Sequence, residues 1–65
     1  MIPKRIIIYP KDVQRITGRS ERYGRNLLKR IKNELGKEEH QLISVFDFAD
    51  FTGLEIEHVQ AFLID

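Results

Sequence analysis

Basic side chains between residues 19 and 32 are the part of this sequence best suited to chemistry. The stretch ITGRSERYGRNLLKRIKNELG, residues 16–36, carries six Arg and Lys residues behind a glycine turn. Guanidinium and ammonium groups bind anions, and a guanidinium also matches the acceptor edge of guanine. This density of cations therefore indicates a surface for a polyanion.

The same stretch has the spacing of an amphipathic helix that starts after Ser20 and stops at Gly36. Its apolar residues form one stripe: Tyr23, Leu27, Leu28, Ile31 and Leu35. The opposite face is expected to carry four cations and two amides with no acid among them: Arg22, Arg25, Asn26, Lys29, Lys32 and Asn33. Like charges at this spacing repel one another, and a bound polyanion would relieve the repulsion. The alternative is the solvated side of an ordinary core helix.

A helix in the major groove contacts base edges with its first residues and the phosphate backbone with later ones. This rule predicts Arg22, Arg25 and Asn26 as base readers. Phosphate contacts are predicted at five further positions: Lys11, Arg15, Arg19, Lys29 and Lys32. The other cations of this half, Lys4, Arg5 and Arg30, are expected to point elsewhere.

The formal net charge of +1 conceals a division along the chain. Residues 1–37 hold all 11 Lys and Arg with three acids, a balance of +8, whereas residues 38–65 hold seven acids and no Lys or Arg, a balance of −7. Such asymmetry is typical of a nucleic-acid surface or of charge-paired assembly. We therefore distinguish a basic unit, residues 8–36, from an acidic unit, residues 43–65, in one domain spanning residues 1–65.

A shift of 35 residues aligns the two units as an internal repeat. IYPKDVQRITGRSERYGRNLL from residue 8 then matches ISVFDFADFTGLEIEHVQAFL from residue 43, with five identities on turn and core positions. These are Ile8 with Ile43, Asp12 with Asp47, Thr17 with Thr52, Gly18 with Gly53, and Leu28 with Leu63. Each unit is predicted to contain a short extended stretch, a helix, a glycine and a second helix.

Helix boundaries in both units follow from residue type. Ser44 and Asp47 have the spacing of a capping box, and Pro10 suits a first helical position, with Asp12 near the positive end of the helix dipole. Gly18 and Gly53 are predicted to end the first helices in the left-handed conformation. Residues 5–9 and 41–44 are candidates for two short antiparallel β-strands. The fold class is thus mainly α, a small helical helix-turn-helix domain of two pseudo-repeated helix pairs.

The helix-turn-helix pattern requires a small residue four before the turn glycine and an aliphatic residue six after it. Ala49, Gly53 and Val59 fit in the acidic unit, while Gln14, Gly18 and Gly24 stand at these positions in the basic unit, where Gly24 would allow close helix contact. The run DVQRITGRSERYGRNLL resembles the modules of excisionase-like and MerR-like DNA-binding proteins. The resemblance covers about a quarter of the chain and implies binding to double-stranded DNA.

Other functional classes find little support in the residues present. The chain has no cysteine and only His40 and His58 as histidines, so neither a metal centre nor another cofactor is expected. It shows no set of nucleophile, base and orienting group, which argues against an enzyme. The longest strictly aliphatic run, residues 6–8, is far too short for a membrane span, and we expect a cytoplasmic protein.

Two functions remain open from the sequence. The first is a small DNA-binding protein, a transcriptional regulator or an accessory factor of recombination, that reads DNA with its basic helix. The second is a protein-interaction module that self-associates as a homo-oligomer, or docks on a partner, through its oppositely charged halves.

Overall fold

The computed structural model describes residues 6–63, in which the chain forms four helices and no sheet. These are α1 (Pro10–Thr17), α2 (Glu21–Leu35), α3 (Val45–Thr52) and α4 (Ile56–Ala61). Helix α1 packs on α2, α3 packs on α4, and α2 also contacts α3. The predicted small, mainly helical domain is confirmed.

The first helix of each unit begins with the same carboxylate contact. The backbone N–H of Tyr9 donates to Asp12 Oδ2 at 2.8 Å, and that of Ser44 donates to Asp47 Oδ2 at 3.1 Å. In the acidic unit Asp47 N–H also donates to Ser44 Oγ at 3.0 Å, which completes the predicted capping box. Pro10 occupies the first turn of α1, as expected for a residue without an N–H to satisfy.

The ends of these two helices also match each other. Gly18 and Gly53 are left-handed, with φ of 74° and 79°, as predicted. In the residue before each glycine, Thr17 Oγ1 donates to the Val13 carbonyl at 2.7 Å, and Thr52 Oγ1 donates to the Phe48 carbonyl at 2.8 Å. Hydrogen bonds 35 residues apart therefore reproduce one another at both ends of the helix.

The two candidate strands reduce to one antiparallel bridge between Ile7 and Ser44. Ile8 N–H donates to the Ile43 carbonyl at 3.0 Å, and Val45 N–H donates to the Ile6 carbonyl at 2.7 Å. The prediction of two strands was wrong in extent because Pro10 and Val45 already begin helices, which leaves little extended chain to pair. Residue 5, the first residue of the predicted strand 5–9, lies outside the described residues.

The core lies between the two units and draws on both. Its buried apolar residues are Ile8, Val13, Leu28, Ile31, Ile43, Val45, Phe48, Ala49, Val59 and Leu63. Leu35 was predicted in the apolar stripe of α2 but is 48% exposed. Helix α2 is about 22 Å long and α1 about 12 Å, so the last turn of α2 has less to pack against.

Gly24 gives α1 and α2 the close contact that its position predicts. The residue is buried in α2, and a Cβ placed there would lie 2.6 Å from the Pro10 carbonyl oxygen. Gln14, which replaces the small residue of the usual pattern, is exposed on α1. In this unit the close approach is therefore made from α2, six residues after the turn glycine.

Among residues 6–63, Asp12 is the one polar or charged side chain that is buried, with 1% exposure. Its Oδ1 accepts from Arg15 Nη1 at 3.2 Å, while Oδ2 accepts the Tyr9 N–H. Both oxygens are thus satisfied, which offsets the cost of removing a carboxylate from water.

Asp12→Ala should lower the free energy of unfolding by about 2 kcal/mol, because the Tyr9 N–H and the Arg15 guanidinium lose a buried, charged partner. Asp47→Ala is the matched control, since that residue makes the equivalent cap while half-buried. We expect it to cost about 1 kcal/mol. Urea denaturation followed by circular dichroism measures both, and an equal cost at the two sites would contradict the role given to burial.

Candidate nucleic-acid interface

The two helices of the basic unit are held by local contacts at their turn. Ser20 caps α2 by accepting the Tyr23 N–H at 3.1 Å, and Gly18 N–H donates to the Gln14 carbonyl at 2.8 Å. With the contact between Gly24 and Pro10, these bonds fix α1 against α2. All eight predicted contact residues lie in the described chain, and all are exposed except the half-buried Lys32.

The side chains of three of the eight make hydrogen bonds or ion pairs within the described chain. Arg15 donates to Asp12, and Lys32 Nζ donates to the Glu39 carbonyl at 2.8 Å. Arg25 Nη1 lies 3.4 Å from Glu21 Oε2, an exposed pair one helical turn apart. The prediction of a face without acids was therefore wrong beside Arg25. The i,i+4 spacing of Glu21 and Arg25 was the signal in the sequence that could have found it.

Arg19 is oriented by its neighbours at the turn. Its guanidinium carbon lies 4.5 Å from the centroid of the Tyr23 ring, within cation–π distance. The backbone N–H of Arg19 donates to Thr17 Oγ1 at 3.2 Å. The ring covers one side of the planar group and leaves the N–H groups at its edge able to meet a phosphate. Arg19 is thus placed at the N-terminal end of α2.

The remaining four residues are Lys11, Arg22, Asn26 and Lys29. In the part of the chain that the structure describes, their exposed side chains have no ion pair and no hydrogen bond. Arg22, Asn26 and Lys29 follow one another at i, i+4 and i+7 on α2, so they share one face of that helix. The face can donate hydrogen bonds to an external ligand without first breaking internal ones.

Beside this face lies a groove of about 370 Å³ that the sequence did not predict, which we call the basic groove. Its rim carries Arg25, Lys29 and Lys32, and Ile8, Leu28 and Ile43 are among the apolar residues that line it. Tyr9 and Leu42 also line it and are 47% and 54% exposed. Three separate segments form this groove, so no local pattern marks it.

The acidic unit carries different side chains at the same scaffold positions. Phe46, Asp50, Leu54 and Glu57 stand 35 residues after Lys11, Arg15, Arg19 and Arg22. We call Phe46, Asp50 and Leu54 the acidic face. Phe46 is 57% and Leu54 42% exposed, and both line a shallow groove of about 380 Å³ with Asp47, Asp50 and Ile56. One backbone thus presents cations in one unit and apolar and acidic groups in the other.

Residues 6–63 contain neither a cluster of candidate metal ligands nor a membrane-spanning helix. No cluster of three or more His, Asp or Glu side chains could hold a metal ion there. Over the same residues, no helix combines the length and apolar character needed to cross a membrane.

Comparison with known proteins found no match: no family model, no curated protein and no solved structure is significantly similar to the chain.

Proposed function

We propose that this protein binds double-stranded DNA through α1 and α2. The single observation that carries the proposal is the exposed face of α2, where Arg22, Asn26 and Lys29 have no internal partner within residues 6–63. A helix–glycine–helix unit can place such a face in the major groove, which is wide enough for one helix. The protein would then act as a transcriptional regulator or as an accessory factor of recombination.

The contacts within the protein refine the role of each residue. Arg22 and Asn26 are the base readers, since a guanidinium matches guanine O6 and N7 and an amide matches adenine N6 and N7. Lys11, Arg19 and Lys29 contact phosphates. Arg25 reads a base only after it releases Glu21, an exposed pair whose separation costs little. Arg15 and Lys32 add positive charge while keeping their internal bonds.

Duplex binding measured by fluorescence anisotropy over a range of salt concentrations tests the proposal directly. The three phosphate contacts of Lys11, Arg19 and Lys29 predict a log–log slope of affinity against salt of about −3. A duplex RNA of the same sequence should bind more weakly, because its deep, narrow major groove does not admit a helix. Absence of duplex DNA binding at low salt would end the proposal.

Glu21→Gln should raise the affinity for duplex DNA by up to about tenfold at low salt. The substitution removes the only carboxylate that contacts the proposed face within the described residues, and it frees Arg25 for a phosphate or a base. The free energy of unfolding should change by less than about 0.5 kcal/mol, as expected for an exposed helical pair.

Glu34→Gln is the control for Glu21→Gln, because it makes the same change of charge at an exposed position near the other end of α2. Its effect on affinity should be the smaller of the two. Anisotropy titrations of both variants at the same salt concentration give the comparison, and a larger gain from Glu34→Gln would contradict the orientation proposed for α2.

A further inference from the structure

The acidic face combines exposed apolar side chains with a carboxylate, and no other segment of the described chain covers it. Phe46 and Leu54 are 57% and 42% exposed, and Asp47 and Asp50 line the same shallow groove. Repulsion from phosphate excludes this face from DNA. Exposed aromatic side chains with charged neighbours are typical of sites that bind other proteins.

The basic groove has the complementary composition on the same chain. It presents an apolar lining that includes Ile8, Leu28 and Ile43, and the charges on its rim are mostly cations instead of carboxylates. Glu39 is the acid that lines it, and the carbonyl of that residue accepts from Lys32. A phenyl ring entering this groove would contact apolar side chains, and a carboxylate beside the ring would meet Arg25 or Lys29.

We propose that the acidic face of one copy docks on the basic groove of a second copy. Phe46 enters the groove, and Asp50 pairs with the cations of the rim. The two surfaces differ, so the contact is head-to-tail and leaves one free surface of each kind at the ends of a dimer. Further copies can therefore bind at either end of the assembly until it closes into a ring or the protein concentration limits its growth.

If the protein binds DNA as proposed above, docking should compete with DNA binding. Lys29 belongs both to the groove and to the face of α2 proposed to bind DNA, and Arg25 and Lys32 line the groove beside it. A docked copy brings Asp50 to these cations and competes with phosphate for them. Duplex DNA should therefore shift assemblies toward smaller species, each bound to DNA through its own α2.

Sedimentation velocity over protein concentrations from about 10 µM to 1 mM tests the association. At about 50 mM NaCl the average mass should rise at least twofold across this range, and about 500 mM NaCl should reduce the rise, because the rim contacts are screened. A weak contact is expected of a surface this small. If the wild-type protein stays monomeric at low salt over the whole range of protein concentrations, the proposal is overturned.

Two variants and their mixture test the head-to-tail geometry. Phe46→Ser removes the docking ring and Lys29→Glu reverses the rim, so each variant alone should be monomeric. Mixed in equal amounts they should form dimers and nothing larger, since Phe46→Ser keeps an intact groove and Lys29→Glu keeps an intact acidic face. Failure of the mixture to associate would overturn head-to-tail docking and leave another protein as the occupant. Dimers formed by either variant alone would also overturn it, in favour of like faces meeting.

Matched controls separate docking from folding and from DNA binding. Phe62→Ser changes a phenylalanine that is 44% exposed and does not line the acidic face, and it should leave the association intact. Circular dichroism checks that both serine variants remain folded. At protein concentrations too low for self-association, Phe46→Ser should bind a short duplex with wild-type affinity, so loss of self-association and loss of DNA binding are measured independently.

Discussion

Arg22→Glu is expected to weaken binding to a short DNA duplex on the order of 100-fold at about 0.1 M salt. At that concentration each phosphate or base contact made by a cation contributes nearly a factor of ten, and a carboxylate at the same place adds repulsion of similar size. The substitution also places in the basic unit the residue that the acidic unit carries at the equivalent position, Glu57. Stability should change little because Arg22 is exposed and has no ion pair within residues 6–63.

Arg30→Glu provides a closely matched control for Arg22→Glu. Both substitutions change an exposed arginine of α2 and lower the net charge by the same amount, but Arg30 lies toward α3, with its guanidinium carbon 6.0 Å from the centroid of the Phe51 ring. We expect a loss of affinity of less than about tenfold, from long-range electrostatics alone. Equal losses in the two variants, measured by anisotropy at one salt concentration, would show that net charge and not this helical face governs binding.

Gly24→Ala is expected to lower the free energy of unfolding by about 2 kcal/mol. The added Cβ would lie 2.6 Å from the Pro10 carbonyl oxygen, so α1 and α2 must move apart, at a cost that exceeds the gain of about 1 kcal/mol in helix propensity. Separation of the helices also moves Lys11 and Arg19 relative to Arg22. DNA affinity should therefore fall even under conditions in which the variant is fully folded.

Asn33→Ala gives the reference for propensity on the same helix. The side chain of Asn33 is exposed, so its replacement should leave stability unchanged or slightly raised. Urea denaturation of both variants measures the difference, and anisotropy at a temperature well below the unfolding transition measures binding. A Gly24→Ala protein as stable as Asn33→Ala would mean that α1 and α2 are not in the close contact described.

Local chemistry explains why so much of the scaffold was predictable. Ser20, Ser44 and Asp47 cap helices through atoms at most three residues away, and Gly18 and Gly53 end helices through their own backbone conformation. Such interactions depend on a few consecutive residues, so the helix boundaries can be predicted from the sequence alone. The periodicity of α2 likewise separated the buried Leu28 and Ile31 from the exposed Arg22 and Lys29.

The features that could not be predicted depend on contacts between distant segments. Lys32 is held by the Glu39 carbonyl, seven residues on, through a loop whose path no local pattern defines. The basic groove needs residues 8–10, α2 and residues 39–43 in one place. Leu35 has the right spacing for the core and lacks only a neighbour to cover it. Which cations of α2 remain available to a ligand is thus decided by tertiary structure.

The hydrogen bond between Ile8 and Ile43, beside the bridge, bears on how far the two halves can differ. These residues are equivalent in the repeat, and the N–H of one donates to the carbonyl of the other. Two separate copies of a single unit could pair at the same edge, so the chain has the layout of a dimer whose subunits are covalently linked. In a true homodimer every surface substitution appears twice. Here the linkage lets one half gain positive charge while the other gains exposed phenylalanines, without either change being imposed on its counterpart.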